Sequence, residues 1–160
     1  VGEQVAKVAD QIGFQIAIQD DRPQWADPDR YPKNSQIFDA IPMAIAHLAD
    51  QSQLYAALVT RGYSYDLAAL TALIQRPIPC IYIGMIGSEQ RIRQVYQSLK
   101  KAGISPQYLQ SIFAPIGLDI GALTPAEIAV SIAAELIWVR RGGSGRPLRD
   151  HIPEQHKPSV

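Results

Sequence analysis

The chain has 160 residues, 47% of them apolar, which is enough for one domain with its own core and excludes a disordered chain. Fifteen basic and fifteen acidic side chains cancel, so bulk charge gives no attraction to nucleic acid or to a membrane surface, although a local basic patch stays open. The single cysteine excludes an internal disulfide framework and suits a reducing compartment. No secretory signal and no apolar run of membrane-spanning length is seen, so a soluble, cytoplasmic domain is expected.

Val1, Val5, Val8, Ala9 and Ile12 fall on one helical stripe that Gly13 ends, predicting a helix over residues 1–12. Residues 14–18 then read as a strand running into Asp20-Asp21-Arg22-Pro23, and the Pro-, Asp- and aromatic-rich stretch to Lys33 as a loop. A short strand is expected at residues 35–38, a helix at 43–49, a strand at 55–60 and a helix at 66–75. A further strand at 79–83 meets Gly84-Met85-Ile86-Gly87-Ser88, which turns into a helix reaching Ala102. Ser105-Pro106 opens a short helix. The loop holding Gly117, Asp119 and Gly121 leads into a last long helix, apolar almost all round and therefore expected to be buried. Thr124, Pro125 and Glu127 form its start as a cap, a first-turn proline and a capping box. After Arg141 the run Gly142-Gly143-Ser144-Gly145 breaks the helix, so the division expected is a domain over 1–141 and a flexible Gly/Pro-rich tail over 142–160.

Strands alternating with helices predict an α/β fold, doubly wound with a mostly parallel sheet, whose ligands sit beyond the carboxyl ends of the strands. The chain opens inside a helix, so the first strand and glycine-rich turn of a dinucleotide fold are expected to be missing from it. Asp20 nevertheless follows Gly2 at close to the ~20 residues that separate such a turn from a ribose-binding acid.

The strand-end segments supply the candidate site, and each has a plain alternative. Gly84, Gly87 and Ser88 make either an anion cradle of backbone N–H groups or a tight turn with Ser88 as an N-cap. Asp20 is either a ribose ligand, favouring an unphosphorylated 2′ position, or part of a solvated turn with Asp21. Asp119, between Gly117 and Gly121, contacts a ligand or bonds its own turn. Glu127, Ser131 and Glu135 form a polar stripe on an apolar helix; Glu135 is either an edge group reaching water or a nearby arginine, or a buried carboxylate with a function. Arg91 and Arg93 either support a phosphate or are solvated. Cys80 reads as an inert thiol without a basic neighbour, His47 as an exposed helix residue, and no metal site is expected.

Three motifs, Asp20-Asp21-Arg22-Pro23, Tyr82-Ile83-Gly84-Met85-Ile86-Gly87-Ser88 and the run from Ala114 to Ile137, together resemble the carboxy-terminal Rossmann-like domain of the xanthine dehydrogenase accessory factor (XdhC/CoxI) family. A fourth segment, Val59-Thr60-Arg61-Gly62, carries Arg61 where that family usually has a histidine after the threonine. The resemblance implies a maturation factor that binds molybdenum cofactor, supports its sulfuration and delivers it to a molybdenum hydroxylase apo-enzyme, with a cysteine desulfurase as a further partner. It places Asp20, Thr60, Gly84, Gly87, Ser88, Gly117, Asp119, Gly121 and Glu135 in the cofactor site and assigns no catalytic residue. Two other readings stay open: an NAD(P)-dependent oxidoreductase on the same fold, and a ligand-free scaffold or homodimerisation domain.

Overall fold

A computed structural model describes residues 1–151; the expected tail from residue 152 onward lies outside the described residues. Helix α1 (Gly2–Gln11) buries Val5, Ala6 and Ala9 and ends at Gly13, whose φ of 86° suits a residue without a Cβ. Strand β1 (Ala17–Gln19) pairs in parallel with β2 (Gln36–Phe38), Ile18 lying opposite Ile37. Helix α2 (Ile41–His47) leads to β3 (Tyr55–Leu58), and α3 (Tyr63–Ile74) carries the chain over to β4 (Tyr82–Met85). β3 and β4 are also parallel, with Ala57 opposite Gly84. After α4 (Glu89–Lys101) and α5 (Pro106–Gln110), Phe113 adds a further parallel lane: its N–H donates to Ile83 O, and its carbonyl accepts from Met85 N–H, both at 2.9 Å. Helix α6 (Pro125–Arg141) follows, and a short 3-10 turn at Leu148–His151 is the last element of the described residues.

Helices cover both faces of the β3–β4 ladder, giving the Rossmann-like α/β arrangement. On one face Leu58 and Met85 pack with Leu70, Val95, Leu99 and Leu109. On the other, Tyr82 and Ile116 pack with Val5 of α1 and with Ala129, Ile132 and Leu136 of α6. All four residues of β4 are buried, as expected of a strand covered on both sides.

Several boundaries differ from the expectation. β1 begins at Ala17, where its pairing with Gln36 of β2 begins, and Phe14 lies before it with its ring edge-on to Tyr55 at 5.1 Å. β4 begins at Tyr82 rather than residue 79, because its register is set by β3, and it runs through Gly84 to Met85. Helix α6 is not buried all round: Val130 and Ile137 are exposed on its outer side. Its amino end matches the capping box, Thr124 Oγ1 accepting from Glu127 N–H and Glu127 Oε2 from Thr124 N–H at 2.8 Å. Glu127 also accepts from Leu123 N–H, and these amides hold its carboxyl below the usual range. Among the described residues no helix is long and apolar enough to cross a membrane.

Candidate functional site

Parallel pairing brings the carboxyl ends of β3, β4 and the Phe113 lane together, and the Asp21–Arg61 ion pair at 2.8 Å sets the end of β1 beside them, so that Asp20, Thr60, Gly87 and the loop of residues 114–124 lie toward one edge. Ser88 caps α4: its Oγ accepts from Arg91 N–H at 3.3 Å, leaving its own hydrogen free to donate. The amides of Ser88, Glu89 and Gln90 precede the first bonded turn, where a helix start leaves N–H groups without an intrahelical partner. Arg91 reaches back under this turn, donating to Ile86 O, and a Cβ on Gly87 would lie 3.0 Å from its Nε.

Arg91 is held from below. Its Nε lies 3.0 Å from Oδ2 of Asp66, an ion pair rather than an aligned hydrogen bond, and Asp66 is fully buried. Thr60 Oγ1 donates to the other oxygen, Asp66 Oδ1. Burial raises the Asp66 pKa, while Thr60 and Arg91 pull it down. Thr60, at the end of β3, thus reaches the α4 start through Asp66 and Arg91.

The second loop is stitched to α6 by the polar stripe. Glu135 is buried, and its Oε2 accepts from the Tyr82 hydroxyl at 2.5 Å and from Gly117 N–H at 3.0 Å. These two donors, rather than the surface or an arginine, are what it reaches, contrary to the first alternative above, because α6 turns this face toward β4. Burial, followed by the bond to Glu135, pushes the Tyr82 hydroxyl pKa upward. One helical turn earlier, Ser131 Oγ donates to Leu118 O at 2.6 Å, and Leu118 N–H donates to Ser131 O at 3.3 Å. Gly117 takes φ 102°, and a Cβ there would meet Ser131 Oγ at 2.5 Å. Its N–H therefore faces Glu135 rather than a ligand, while residues 119–122 line the cleft beside it.

Gly84 is placed inside β4 rather than in the turn, and the space a Cβ would need is filled by the Tyr82 hydroxyl and by Ile116 Cδ1 at 2.5 Å. Close packing accounts for this glycine. Asp119 and Gly121 line an open cleft of about 470 Å³ together with Ile86, Gly117, Leu118 and Ser131. At the far side, Arg22 clasps Asp20: Nε to Oδ1 at 2.8 Å, Nη2 to Oδ2 at 2.7 Å, and backbone N–H to Oδ1 at 3.1 Å. The guanidinium holds the Asp20 carboxyl below its usual range. Asp21 pairs with Arg61 at 2.8 Å, and Arg61 lies over the Tyr65 ring. Arg22 and Arg30 both approach the Trp25 ring, and Arg30 ties this loop to Glu3 at the start of α1 at 2.7 Å. Cys80 has a basic neighbour after all, Arg76 Nη1 at 3.4 Å, yet burial raises the thiol pKa, and both residues sit at the amino ends of the strands. Among the described residues no group of three His, Cys, Asp or Glu side chains could hold a metal ion.

The edge of the sheet thus carries the Ser88-capped start of α4 and the cleft lined by residues 117–122, with acids clasped by arginines beside β1. The family model for the XdhC Rossmann domain matches residues 1–136, a span containing all of these segments. The chain belongs to the XdhC Rossmann-domain family.

Its relatives agree. An uncharacterised Escherichia coli protein, YqeB, is 28% identical over 147 residues, covering 91% of this chain and 26% of the relative. A Bacillus subtilis protein whose name describes it as a probable part of xanthine dehydrogenase is 30% identical over 141 residues, covering 86% of this chain and 39% of the relative. The crystal structure of a protein described as a xanthine dehydrogenase from Bacillus halodurans superposes with a TM-score of 0.71 at 26% identity, over 88% of this chain and 42% of that one. The chain therefore spans less than half the length of these relatives.

Within this XdhC-family domain, two buried polar groups that hold the candidate site's turns are not evident from sequence. Asp66 looks like an ordinary first-turn acid of α3, and Tyr82 like a core aromatic. Their signal lies in company: Thr60 six residues before Asp66, and Glu135 facing Tyr82 from an otherwise apolar helix.

Proposed function

We propose that this domain is the ligand-binding module of an accessory factor serving a molybdenum hydroxylase of the xanthine dehydrogenase type. Its ligand is molybdenum cofactor or a related nucleotide, held by phosphate at the start of α4, at Gly87 and Ser88, and along residues 119–122, with Asp20 toward a ribose where one is present. The observation that carries this reading is the pairing of a capped helix start, at α4, with the 470 Å³ cleft lined by residues 117–122, both following the β4 side of a parallel ladder. Amide N–H groups and a nearby guanidinium suit an anion, so the donor set fits the phosphate of such a ligand. When bound, the cofactor itself supplies the oxygen-transfer and redox chemistry, which is exercised in the partner enzyme.

In this reading Thr60 and Asp66 position Arg91, and Glu135 with Ser131 shapes the cleft; none of them need touch the ligand. The names of the relatives support a molybdenum hydroxylase apo-enzyme as partner, and a cysteine desulfurase and a second copy of the chain belong to the same proposal. The single cysteine fits a cytoplasmic site of action. Anaerobic isothermal titration with molybdenum cofactor, NAD, NADP, GTP and CTP tests the reading: saturable binding of the cofactor supports it, NAD or NADP alone would favour a reductase, and no heat from any of them removes it.

A further inference from the structure

Tyr65, Ala68 and Ala72 recur at three and four residues along α3 and so share one face of it. Leu70 and Leu73 lie on a different face, in the core. The shared face looks toward the start of α2, and side chains as short as Ala68 and Ala72 leave the space between the helices unfilled. A cavity of about 620 Å³ results, walled by Tyr65, Ala68 and Ala72 on one side and by Ile41 and Pro42 of α2 on the other. That volume falls within the roughly 300–1,000 Å³ typical of small-molecule sites, and the walls are mostly apolar as such sites are.

The polar lining comes from the carboxyl ends of β1 and β2, and it is rich in acceptors. Asp21 Oδ2 is taken by Arg61 at 2.8 Å. The Gln19 amide donates from Nε2 to Asp39 O at 3.2 Å, which leaves its Oε1 as the unpaired end. The Asp39 carboxylate has neither a hydrogen bond nor an ion pair among the described residues. None of the described residues lining the cavity is Lys, Arg or His, so an anion finds no counter-charge there. An ionised carboxylate only accepts, and its two oxygens suit two parallel N–H donors. A flat heterocycle with a ring N–H beside an exocyclic amino group presents that pair. Guanine and pterin both carry this edge, whereas adenine sets an acceptor nitrogen beside its amino group and would turn it against a carboxylate oxygen.

We propose that the cavity between α2 and α3 seats a heterocycle of the guanine or pterin class, with Asp39 as the residue that reads its paired N–H edge. The ring lies between the α3 face and the Ile41–Pro42 wall, and Gln19 Oε1 is a further acceptor for its amino group. Asp21 follows Asp20 directly, so this seat adjoins the place given above to a ribose. The inference deepens the ligand reading above by naming its ring, and it rests on that reading only for the link to a phosphate at α4.

Calorimetric titration of the chain with guanosine, neopterin and adenosine, none carrying phosphate, tests it. Saturable binding of guanosine or neopterin is expected, the tighter of the two naming the source of the ring, with adenosine about tenfold weaker or more. Asp39→Asn, at an exposed side chain that no other part of the fold uses, should weaken ring binding about tenfold or more, because one acceptor oxygen becomes a donor. Ala68→Leu should block the ring by filling the cavity while the acceptors stay in place, and circular dichroism melts confirm that both variants fold. Ser88→Asp should leave ring binding unchanged. Absence of binding by both guanosine and neopterin overturns the proposal, as does adenosine binding equally well or Asp39→Asn binding like wild type. Ring binding through Asp39 without any binding of molybdenum cofactor would keep this inference and remove the ligand reading; cofactor binding that Asp39→Asn leaves unchanged would do the reverse.

Discussion

The Tyr82 hydroxyl donates to Glu135 at 2.5 Å, and Gly117 N–H donates to the same carboxylate oxygen. One buried acid thereby joins β4, α6 and the cleft loop. Glu135→Ala leaves two buried donors without an acceptor, each costing about 1–3 kcal/mol. Urea unfolding should show a loss of about 2–5 kcal/mol for Glu135→Ala and a smaller one, about 1–2 kcal/mol, for Tyr82→Phe, which keeps the ring and the Gly117 bond. Equal, negligible losses would mean that the carboxylate is solvated.

Two glycines at the end of β4 separate packing from binding. Gly84→Ala drives a methyl into the Tyr82 hydroxyl and Ile116 inside a fully buried strand, so a loss of about 1–3 kcal/mol is expected. Gly87→Ala meets only the Arg91 guanidinium, 3.0 Å from its Nε, which must give by a few tenths of an ångström while it stays paired with Asp66. Its loss should be about 0.5–1 kcal/mol, below that of Gly84→Ala. Thermal melts of the two variants side by side check the contrast.

Two buried or half-buried acids should titrate with opposite sign. Asp20 is held below its ordinary 3.8 by Arg22, so its contribution to stability is present above that pH and is lost as pH falls through the lowered folded value. Asp66 is raised above 3.8 by burial, so the folded state holds its proton more tightly, and stability falls as pH rises from 3.8 through the raised value. Denaturation of wild type, Asp20→Asn and Asp66→Asn across acid pH reads this directly. Relative to its variant, wild type should gain with rising pH in the first comparison and lose in the second.

Ser88→Asp isolates the anion site from the fold. Aspartate caps a helix as well as serine does, so stability should change by less than about 0.5 kcal/mol. Its carboxylate occupies the place where the amides at the start of α4 would meet a phosphate. Titration should show cofactor or nucleotide binding at least tenfold weaker than in wild type.

The fold is largely readable from sequence because strands and helices differ in period, and capping signals such as Thr124, Pro125 and Glu127 are local chemistry. Boundaries move where a partner strand decides: β4 begins at Tyr82 because Tyr55 lies opposite it, a fact no window of residues 79–83 contains. The same holds for the site. Glycines at 87, 117 and 121 advertise turns, but which N–H groups those turns spend inward depends on Glu135 and Ser131, far along the chain. Asp66 is hidden for a related reason, since only folding sets it beneath Arg91. The exposed Val130 and Ile137 show the converse limit: an apolar helix need not be covered on every side.

The most direct test of a phosphate seat at the start of α4 is anaerobic titration of the wild-type chain and Ser88→Asp with molybdenum cofactor. Saturable, one-to-one binding is predicted, raising the melting temperature and weakening at least tenfold in the variant. A hundredfold excess over Kd should stabilise wild type by about 2.7 kcal/mol. Absence of binding, or binding that Ser88→Asp leaves untouched, would contradict that seat.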